Sequence, residues 1–430
     1  MLKRCIILYL VLASFSSKAQ GLYFPPTVGN QWDTIEPQTL GWCQPQIDSL
    51  YAYLNTNNTK AFILLKDGKI VLEKYFGTHT ASTPWYWASA GKTITSFMVG
   101  MAQQDGYLSI DDTTSNILGP GWTNCTPAQE EKITVRNQLT MTSGLDDAVL
   151  DPYCTLNTCL DYSADAGTRW AYHNGPYTLL DSVIELATGQ TLNAYTTQRL
   201  KIPTGMTGSF YTVDYNHVFF STARSMARFG LLIQNQGNWN GNQIMTDQTY
   251  FNDMVNTSQN LNESYGYLWW LNGKQSFMVP QSQLVFPGSW SPNAPSDMFA
   301  ALGKNGQFIN VVPSQNMTWI RMGDAPDSSF VPFLLNDIIW QYLNDLSCSN
   351  ALNDNETPLV TVSPNPSSGE FSVHSTRPAH IELVNALGQV IQDFQLEAGE
   401  TRIVVNDAGI YFMRWNEHGA SKVLERIFVH

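Results

Sequence analysis

The chain has 430 residues, 43% of them apolar and only 14% charged, with a formal charge of −13. That length exceeds one ordinary domain and fits a large domain with a small companion. The low charge fraction, with 13 Trp and 19 Tyr, excludes a largely disordered chain, and the acidic balance argues against nucleic acid or an anionic membrane as a partner.

Met1 to Ala19 reads as a secretory signal, with Lys3 and Arg4 as the positive start, Ile6 to Phe15 as the apolar core and Ser17-Lys18-Ala19 as a small-x-small cleavage site. The run is shorter than the about 20 apolar residues a membrane span needs, and no later stretch qualifies. An exported protein without a transmembrane segment is expected. Removing residues 1–19 takes away Lys3, Arg4 and Lys18 and no acid, which moves the charge from −13 to −16. Cys5 leaves too, so five cysteines remain, and in an exported chain disulfides are the default. Cys154 and Cys159 can staple a loop while Cys43 and Cys348 join the ends of the large domain, leaving Cys125 free. Alternatively Cys125 pairs with one of the loop cysteines, and the sequence does not choose. No Cys-x-x-Cys or His-x-x-x-His spacing occurs, so neither a metal site nor a cofactor is expected.

Residues 46–56 have helical spacing. Ala61 to Leu65 and Ile70 to Phe76 read as a hairpin around Lys66-Asp67-Gly68-Lys69, where Asp-Gly is a turn signal. Residues 89–103 read as a helix, followed to about residue 220 by short helices and loops, clearest near 135–142, 175–188 and 191–200. Ser221-Thr222 caps an amphipathic helix through Gln234. Strands are expected at Tyr267 to Leu271, Met298 to Leu302, Phe308 to Val312 and Met317 to Met322, then a helix from Ser329 to Leu346.

Hairpin strands first, helices in the middle, then strands and a helix imply one interleaved α+β domain over residues 20–348. Its antiparallel sheet is flanked by helices, with a mostly helical subdomain beside it. Polar residues 349–357 read as a linker. Residues 358–430 carry short strands at Leu359 to Val362, Glu370 to His374, Ala379 to Asn385, Gln389 to Gln395, Thr401 to Val405 and Gly409 to Trp415. They make a small β-sandwich of about 70 residues.

Three segments carry candidate chemistry. In Ser89-Ala90-Gly91-Lys92 the serine stands at a helix start and the lysine one turn later on the same face. A serine hydroxyl is a weak nucleophile until a base takes its proton, and a lysine amine with a lowered pKa can do so. Tyr172-His173-Asn174 precedes a helix, and a tyrosine beside an ammonium can shuttle protons while Asn174 bonds the lysine or a substrate amide. Phe299-Ala300-Ala301-Leu302-Gly303-Lys304-Asn305-Gly306-Gln307 lies between two strands, where glycine permits close approach of a backbone to a ligand. Asp146, Asp147, Asp151, Asp161 and Asp165 crowd the loop before Tyr172, and an acidic rim would suit an amine-bearing substrate. Trp87, Trp269 and Trp270 could line an acyl pocket, although core packing suits at least two of them.

Together, in this order and frame, the three segments resemble the penicillin-binding-protein-like serine hydrolases, which include class C β-lactamases, related esterases and 6-aminohexanoate-dimer hydrolases. The likeness spans roughly residues 45–346 and includes Asp105-Gly106-Tyr107-Leu108-Ser109-Ile110-Asp111-Asp112 and Ser221-Thr222-Ala223-Arg224-Ser225-Met226-Ala227-Arg228-Phe229-Gly230. It implies Ser89 as nucleophile, Lys92 as its base partner, Tyr172 as proton relay to the leaving group and Asn174 as a substrate-positioning residue. The backbone N–H groups of Ser89 and Lys304 would hold the oxyanion, next to Gly303. β-Lactamases and transpeptidases usually carry Lys-Thr-Gly in the third segment. With Gly303 in the glycine position, Ala301 and Leu302 stand in place of Lys-Thr, so a carboxylate clamp is missing. A shifted register would read Lys304-Asn305-Gly306 instead, but Gly303 directly follows the strand pattern. The Ala-Leu-Gly-x-x-Gly-Gln form looks more like the aminohexanoate-dimer hydrolases and esterases.

The tail resembles the C-terminal sorting domain of type IX secretion substrates in Bacteroidetes through Ser363-Pro364-Asn365-Pro366-Ser367-Ser368-Gly369, Asn385-Ala386-Leu387-Gly388-Gln389-Val390 and Ala408-Gly409-Ile410-Tyr411-Phe412. That resemblance implies the type IX machinery as a partner and a secreted or cell-surface location. The expected activity is cleavage of a small amide or ester. Two alternatives stand beside it: a β-lactamase or D-amino-acid peptidase acting on cell-wall peptides, and a non-catalytic surface binding module.

Overall fold

The structure, a computed structural model, describes residues 21–326, 331–348, 360–385, 389–417 and 420–429. The expected signal and linker fall on residues 1–19 and 349–357, outside the described residues. The chain forms two compact units that divide after Cys348.

In the first unit, α1 (Gln44–Thr56) leads into the hairpin of β1 (Thr59–Lys66) and β2 (Lys69–Tyr75). Then come α2 (Lys92–Gln104), α3 (Asn174–Thr188), β3 (Asn216–Ser221) and α4 (Ala223–Gln234). The short β4 (Trp270–Leu271), β5 (Phe299–Gly303), β6 (Gln307–Val312), β7 (Met317–Gly323) and α5 (Phe333–Asn344) complete the unit. Six strands pair antiparallel in the order β2-β1-β7-β6-β5-β4. First and last strands of this unit therefore share one sheet, as the α+β pattern implies.

The central strands β5, β6 and β7 are buried along their whole length, because both faces of the sheet are covered there. Ile63, Ile320, Ile309 and Ala301 stand opposite one another across four strands. They lie on the side of the sheet that α4 packs against. There a Cβ at Gly230 would come within 2.5 Å of Thr318 Cγ2 and 3.0 Å of Ile309 Cγ2, so glycine lets the helix lie close. Thr222 caps α4 as expected, its side chain accepting from Ser225 N. On the opposite face, Trp319 packs against Phe62 and against Trp340 of α5.

Cys43, just before α1, is bonded to Cys348, just after α5, and Cys154 to Cys159, leaving Cys125 as a free thiol. Closing a loop of 305 residues removes denatured-state entropy worth on the order of 5 kcal/mol in the chain-entropy model. Backbone bonds beside it (Cys43 N to Leu346 O, 2.9 Å; Cys348 N to Gly41 O, 2.8 Å) hold the same ends together.

Four elements depart from expectation. The segment read as short helices and loops to about residue 220 ends in an antiparallel pair of Ser209–Val213 with β3. The strand expected over Tyr267 to Leu271 shrinks to β4, because Leu268 adopts φ +63° and Tyr267 and Leu268 donate to Met254 and Leu139. That aromatic run is core filler. The final helix starts at Phe333, since Pro332 disfavours helical geometry in the residue before it. The helix expected to begin at Ser89 begins at Lys92, and Ala88–Gly91 form a 3₁₀ turn ahead of it.

The second unit holds β8 (Val360–Ser363), β9 (Glu370–Ser375), β10 (Ala379–Asn385), β11 (Val390–Leu396), β12 (Gly399–Val404), β13 (Gly409–Glu417) and β14 (Ala420–Val429). They form a sheet β8-β9-β12 and a sheet β11-β10-β13-β14. Phe371 and Val373, Ile381 and Leu383, and Tyr411 and Met413 alternate inward at period two and fill the core between the sheets. The expected sandwich is present, with one strand more than the pattern suggests.

Candidate active site

Ser89 is held on a turn pinned from three sides. Trp87 N donates to Phe219 O at 2.8 Å, its indole Nε1 donates to Ser221 Oγ at 2.8 Å, and Ala90 N closes the turn onto Trp87 O at 3.0 Å. Ala88 adopts φ +47°, an uncommon conformation for a residue with a Cβ, directly before the serine. The end of β5 presses on the same turn. A Cβ at Gly303 would lie 2.5 Å from Trp87 O and 2.9 Å from Ala90 N, so any side chain there would push the strand away from Ser89. Only a residue without a side chain lets β5 approach the turn this closely.

Lys92 opens α2, and its Nζ lies 3.2 Å from Ser89 Oγ. Only 4% of Lys92 is exposed. Its Nζ sits 4.1 Å from the Tyr177 ring centroid and 5.3 Å from that of Tyr172. Burial disfavours the ammonium and lowers the pKa to about 7, while the Asp181 carboxylate pulls the other way. Tyr172 lies in the extended segment before α3, fixed by Ala171 N donating to Met141 O at 2.9 Å. Trp270 stacks on its ring at 5.9 Å. Burial pushes the Tyr172 hydroxyl above its ordinary value, opposed by a hydrogen bond with Ser89. Asn174 is the first residue of α3, and its buried Oδ1 has no hydrogen-bond partner among the described residues.

Ser89, Tyr172, Asn174 and Lys304 meet in a cleft of about 40 Å³, walled by Asp147, Pro152, Tyr153, Pro280, Gln281 and Val331. Lys92 and Gly303 stand behind this lining. Lys304 belongs to a turn that Arg321 fixes from below. This fully buried guanidinium donates to Asn305 O at 3.0 Å and Gly306 O at 2.7 Å, and Asn305 Nδ2 reaches Tyr86 OH at 2.7 Å.

Of the five loop aspartates only Asp147 lines the cleft, where Arg169 pairs with it at 2.6 Å. Asp165 pairs with Lys132, Asp161 accepts from Asn124, and Asp146 and Asp151 accept from nearby backbone N–H groups. Trp87, Trp269 and Trp270 are core residues and none lines the cleft, so no tryptophan acyl pocket exists here. A larger hollow of about 690 Å³ beside Arg224 and Arg228 contains no base next to its hydroxyls, and Arg224 is already paired with Glu73. No group of three potential metal ligands occurs among the described residues.

Sequence reasoning missed Tyr177, Asp181, His217 and Arg321. Asn174, Tyr177 and Asp181 follow the i, i+3, i+7 spacing of one helix face, so an acid on the apolar side of α3 was there to be noticed. Arg321 leaves no such trace, because its partners are backbone carbonyl oxygens and the hydroxyl of Thr59, far away in the sequence.

The arrangement suits a serine hydrolase: a hydroxyl and a buried amine in hydrogen-bond reach, a tyrosine beside them, and a strand end against the serine's turn. Comparison with family models matches residues 58–331 to the beta-lactamase family and residues 361–430 to the secretion system C-terminal sorting domain. The chain belongs to the beta-lactamase family of serine hydrolases and carries a type IX sorting tail.

Solved structures agree on the fold. A candidate 6-aminohexanoate-dimer hydrolase from Bacillus anthracis superposes with a TM-score of 0.54 at 20% identity, over 76% of this chain and 89% of that one. A candidate beta-lactamase from Bacteroides dorei gives 0.56 at 17% identity, over 71% and 99%. The octameric penicillin-binding protein homologue from Pyrococcus abyssi gives 0.54 at 13%, over 90% and 96%. No curated protein matches the chain by sequence. Among the described residues no helix is long and apolar enough to cross a membrane.

Proposed function

We propose that the protein is an exported amidase or esterase that cleaves a small substrate through an acyl-enzyme on Ser89. The observation that carries this reading is Lys92 Nζ, buried with a pKa lowered to about 7, at 3.2 Å from Ser89 Oγ. A free lysine is almost wholly protonated at neutral pH, whereas this one has its amine lone pair available in a large fraction of molecules. Tyr172, with its pKa raised, stays protonated and suits the role of donor rather than first base.

In this scheme the Lys92 amine takes the Ser89 proton as Oγ bonds to the substrate carbonyl carbon. The oxyanion faces the backbone N–H groups of Ser89 and Lys304. Tyr172 gives its proton to the leaving nitrogen or oxygen as that bond breaks, and recovers one from the Lys92 ammonium. Water then adds to the acyl carbon, losing a proton through the same pair, and Ser89 leaves with its proton restored. The unpartnered Asn174 Oδ1 is an acceptor for a substrate N–H. The narrow cleft favours a small acyl group, and Asp147 on its wall favours an amine on the substrate, partly offset by Arg169. Export through the sorting tail places this chemistry at the cell surface or in the medium.

Lys304 on the cleft wall keeps a second reading alive, since a cation there could meet a substrate carboxylate as in β-lactam recognition. The test is turnover of a short-chain nitrophenyl ester, a chromogenic cephalosporin and a linear 6-aminohexanoate dimer, with Ser89→Ala as control. Ser89-dependent turnover of the ester or dimer but not the cephalosporin is the expected result. Cephalosporin turnover would transfer the site to the second reading, and no turnover above Ser89→Ala would leave a binding module.

A further inference from the structure

Beneath the cleft, α2 and α3 meet along a polar seam. Lys92 Nζ rests on the Tyr177 ring at 4.1 Å, and one turn further along both helices Thr95 Oγ1 donates to Asp181 Oδ1 at 3.1 Å. Asp181 is 1% exposed. Its second oxygen lies 3.1 Å from His217 Nδ1 on β3, and the His217 side chain is 32% exposed. A carboxylate this deep needs a compensating charge, since a hydroxyl and a neutral imidazole do not repay its lost hydration. Two groups can supply it, Lys92 on one side and His217 on the other. The remaining titratable neighbours are Tyr172 before α3, Tyr177 and Glu185 on α3, and Tyr265 before β4; burial keeps Tyr172, Tyr177 and Tyr265 protonated, and Glu185 adds negative charge toward both Asp181 and His217.

We propose that Asp181 and His217 form the solvent-coupled counter-charge of Lys92, a positioning pair that sets the pH at which the Ser89–Lys92 couple becomes competent. This regulation rests on the hydrolase reading above. Because both cations answer to one carboxylate, protonating either disfavours protonating the other, and the two titrate as a coupled system. His217 reaches water and exchanges its proton directly, while Lys92 is closed off beneath Tyr177. Neutral His217 leaves the full Asp181 charge to hold Lys92 as an ammonium. Protonated His217 offsets that charge and releases Lys92 as the amine, so activity falls more gradually toward acid than a single titration would allow.

The test reads signs. Asp181→Asn removes the charge that favours the ammonium, so the acid limb of kcat/KM moves to lower pH by on the order of one unit. His217→Gln keeps a hydrogen-bond donor but cannot be protonated, so the limb moves to higher pH and steepens to a single-proton slope. Damage to packing alone lowers the plateau without moving the limb in opposite directions. A second measurement needs no substrate: the His217 imidazole is titrated by NMR in the full chain and in Lys92→Met, with His217→Gln to assign the signal. Linkage requires its midpoint to rise when the competing cation is removed. Limbs that stay put or move together, or a His217 midpoint indifferent to Lys92→Met, overturn the proposal and leave Asp181 as a structural pin. If no substrate is turned over, the hydrolase reading fails while the NMR titration still decides the coupling. Turnover with an unmoved His217 midpoint sinks the coupling alone.

Discussion

The two units of this chain are both built on antiparallel sheets, yet they treat buried polarity in opposite ways. Among the described residues of the tail the buried ones are Val, Ile, Leu, Phe, Met, Tyr and Ala379, most of them alternating along the strands, and the buried polar ones are Ser367 and Ser375. In the hydrolase unit Lys92, the carboxylates of Glu130, Asp181 and Asp337, the guanidinium groups of Arg228 and Arg321 and several hydroxyls lie inside, and the Asn174 Oδ1 has no partner among the described residues. A domain whose task is to be recognised by its surface can settle for an ordinary core. On the proposed mechanism, holding a neutral amine against Ser89 requires burying Lys92, a group that burial destabilises, among aromatic rings and a distant carboxylate. Part of the polarity inside the first unit thus belongs to the proposed chemistry, and part, as at Glu130, Asp337 and Arg321, ties loops to the core.

Four perturbations test that contrast. Ser89→Ala removes the attacking oxygen, and hydrolysis should fall by at least about 10³-fold with the fold intact, measured by steady-state turnover and circular dichroism. Tyr172→Phe keeps the ring stacked on Trp270 but deletes the donated proton. A loss of about 10²- to 10⁴-fold in kcat is expected, smaller for an ester with a good leaving group than for an amide. An equal loss on both would contradict the assignment of Tyr172 to leaving-group protonation.

The third perturbation concerns pH. Lys92 has a folded pKa of about 7 against 10.5 for the ordinary side chain. Between those values the unfolded chain binds more protons than the folded one, so this residue makes the unit more stable as pH rises from about 7 to 10.5 and contributes no slope below or above. Lys92→Met should remove that slope from a series of denaturant melts while abolishing turnover, and kcat/KM of the wild type should rise with pH through about 7. The smallest effect on activity belongs to the tail. Ile381→Ala there deletes a fully buried side chain, which should destabilise that unit by about 2–5 kcal/mol and leave turnover at the wild-type value. Lost turnover in that variant would show that the two units are not functionally separate.

Much of the fold was legible because its elements announce themselves locally. The Asp-Gly hairpin, the Thr222 cap and the three apolar strands near the end of the first unit all appear where pattern and turn chemistry place them. The strand expected over Tyr267 to Leu271 failed for a tertiary reason: Trp269 packs against Phe229 and Phe299 and Trp270 against Trp170, and packing overrides the propensity. The early start given to the last helix overlooked a local rule, the restriction that Pro332 places on the residue before it. In the site, residues adjacent in sequence, such as Ser89 with Lys92 and Tyr172 with Asn174, were readable as motifs. The Asp181–His217 contact was not, because its partners lie on a helix and a strand 36 residues apart and only folding brings them beneath Lys92.

The central claim is an acyl-enzyme on Ser89 activated by Lys92, and trapping that intermediate tests it most directly. Full-length protein is mixed with a nitrophenyl ester, quenched in acid within one turnover, and examined by intact mass and peptide mapping. The expected result is a mass increase of one acyl group on the peptide carrying Ser89, forming more slowly as pH falls below about 7 and absent from Ser89→Ala. Acylation at another residue, or undiminished turnover by Ser89→Ala, would contradict it.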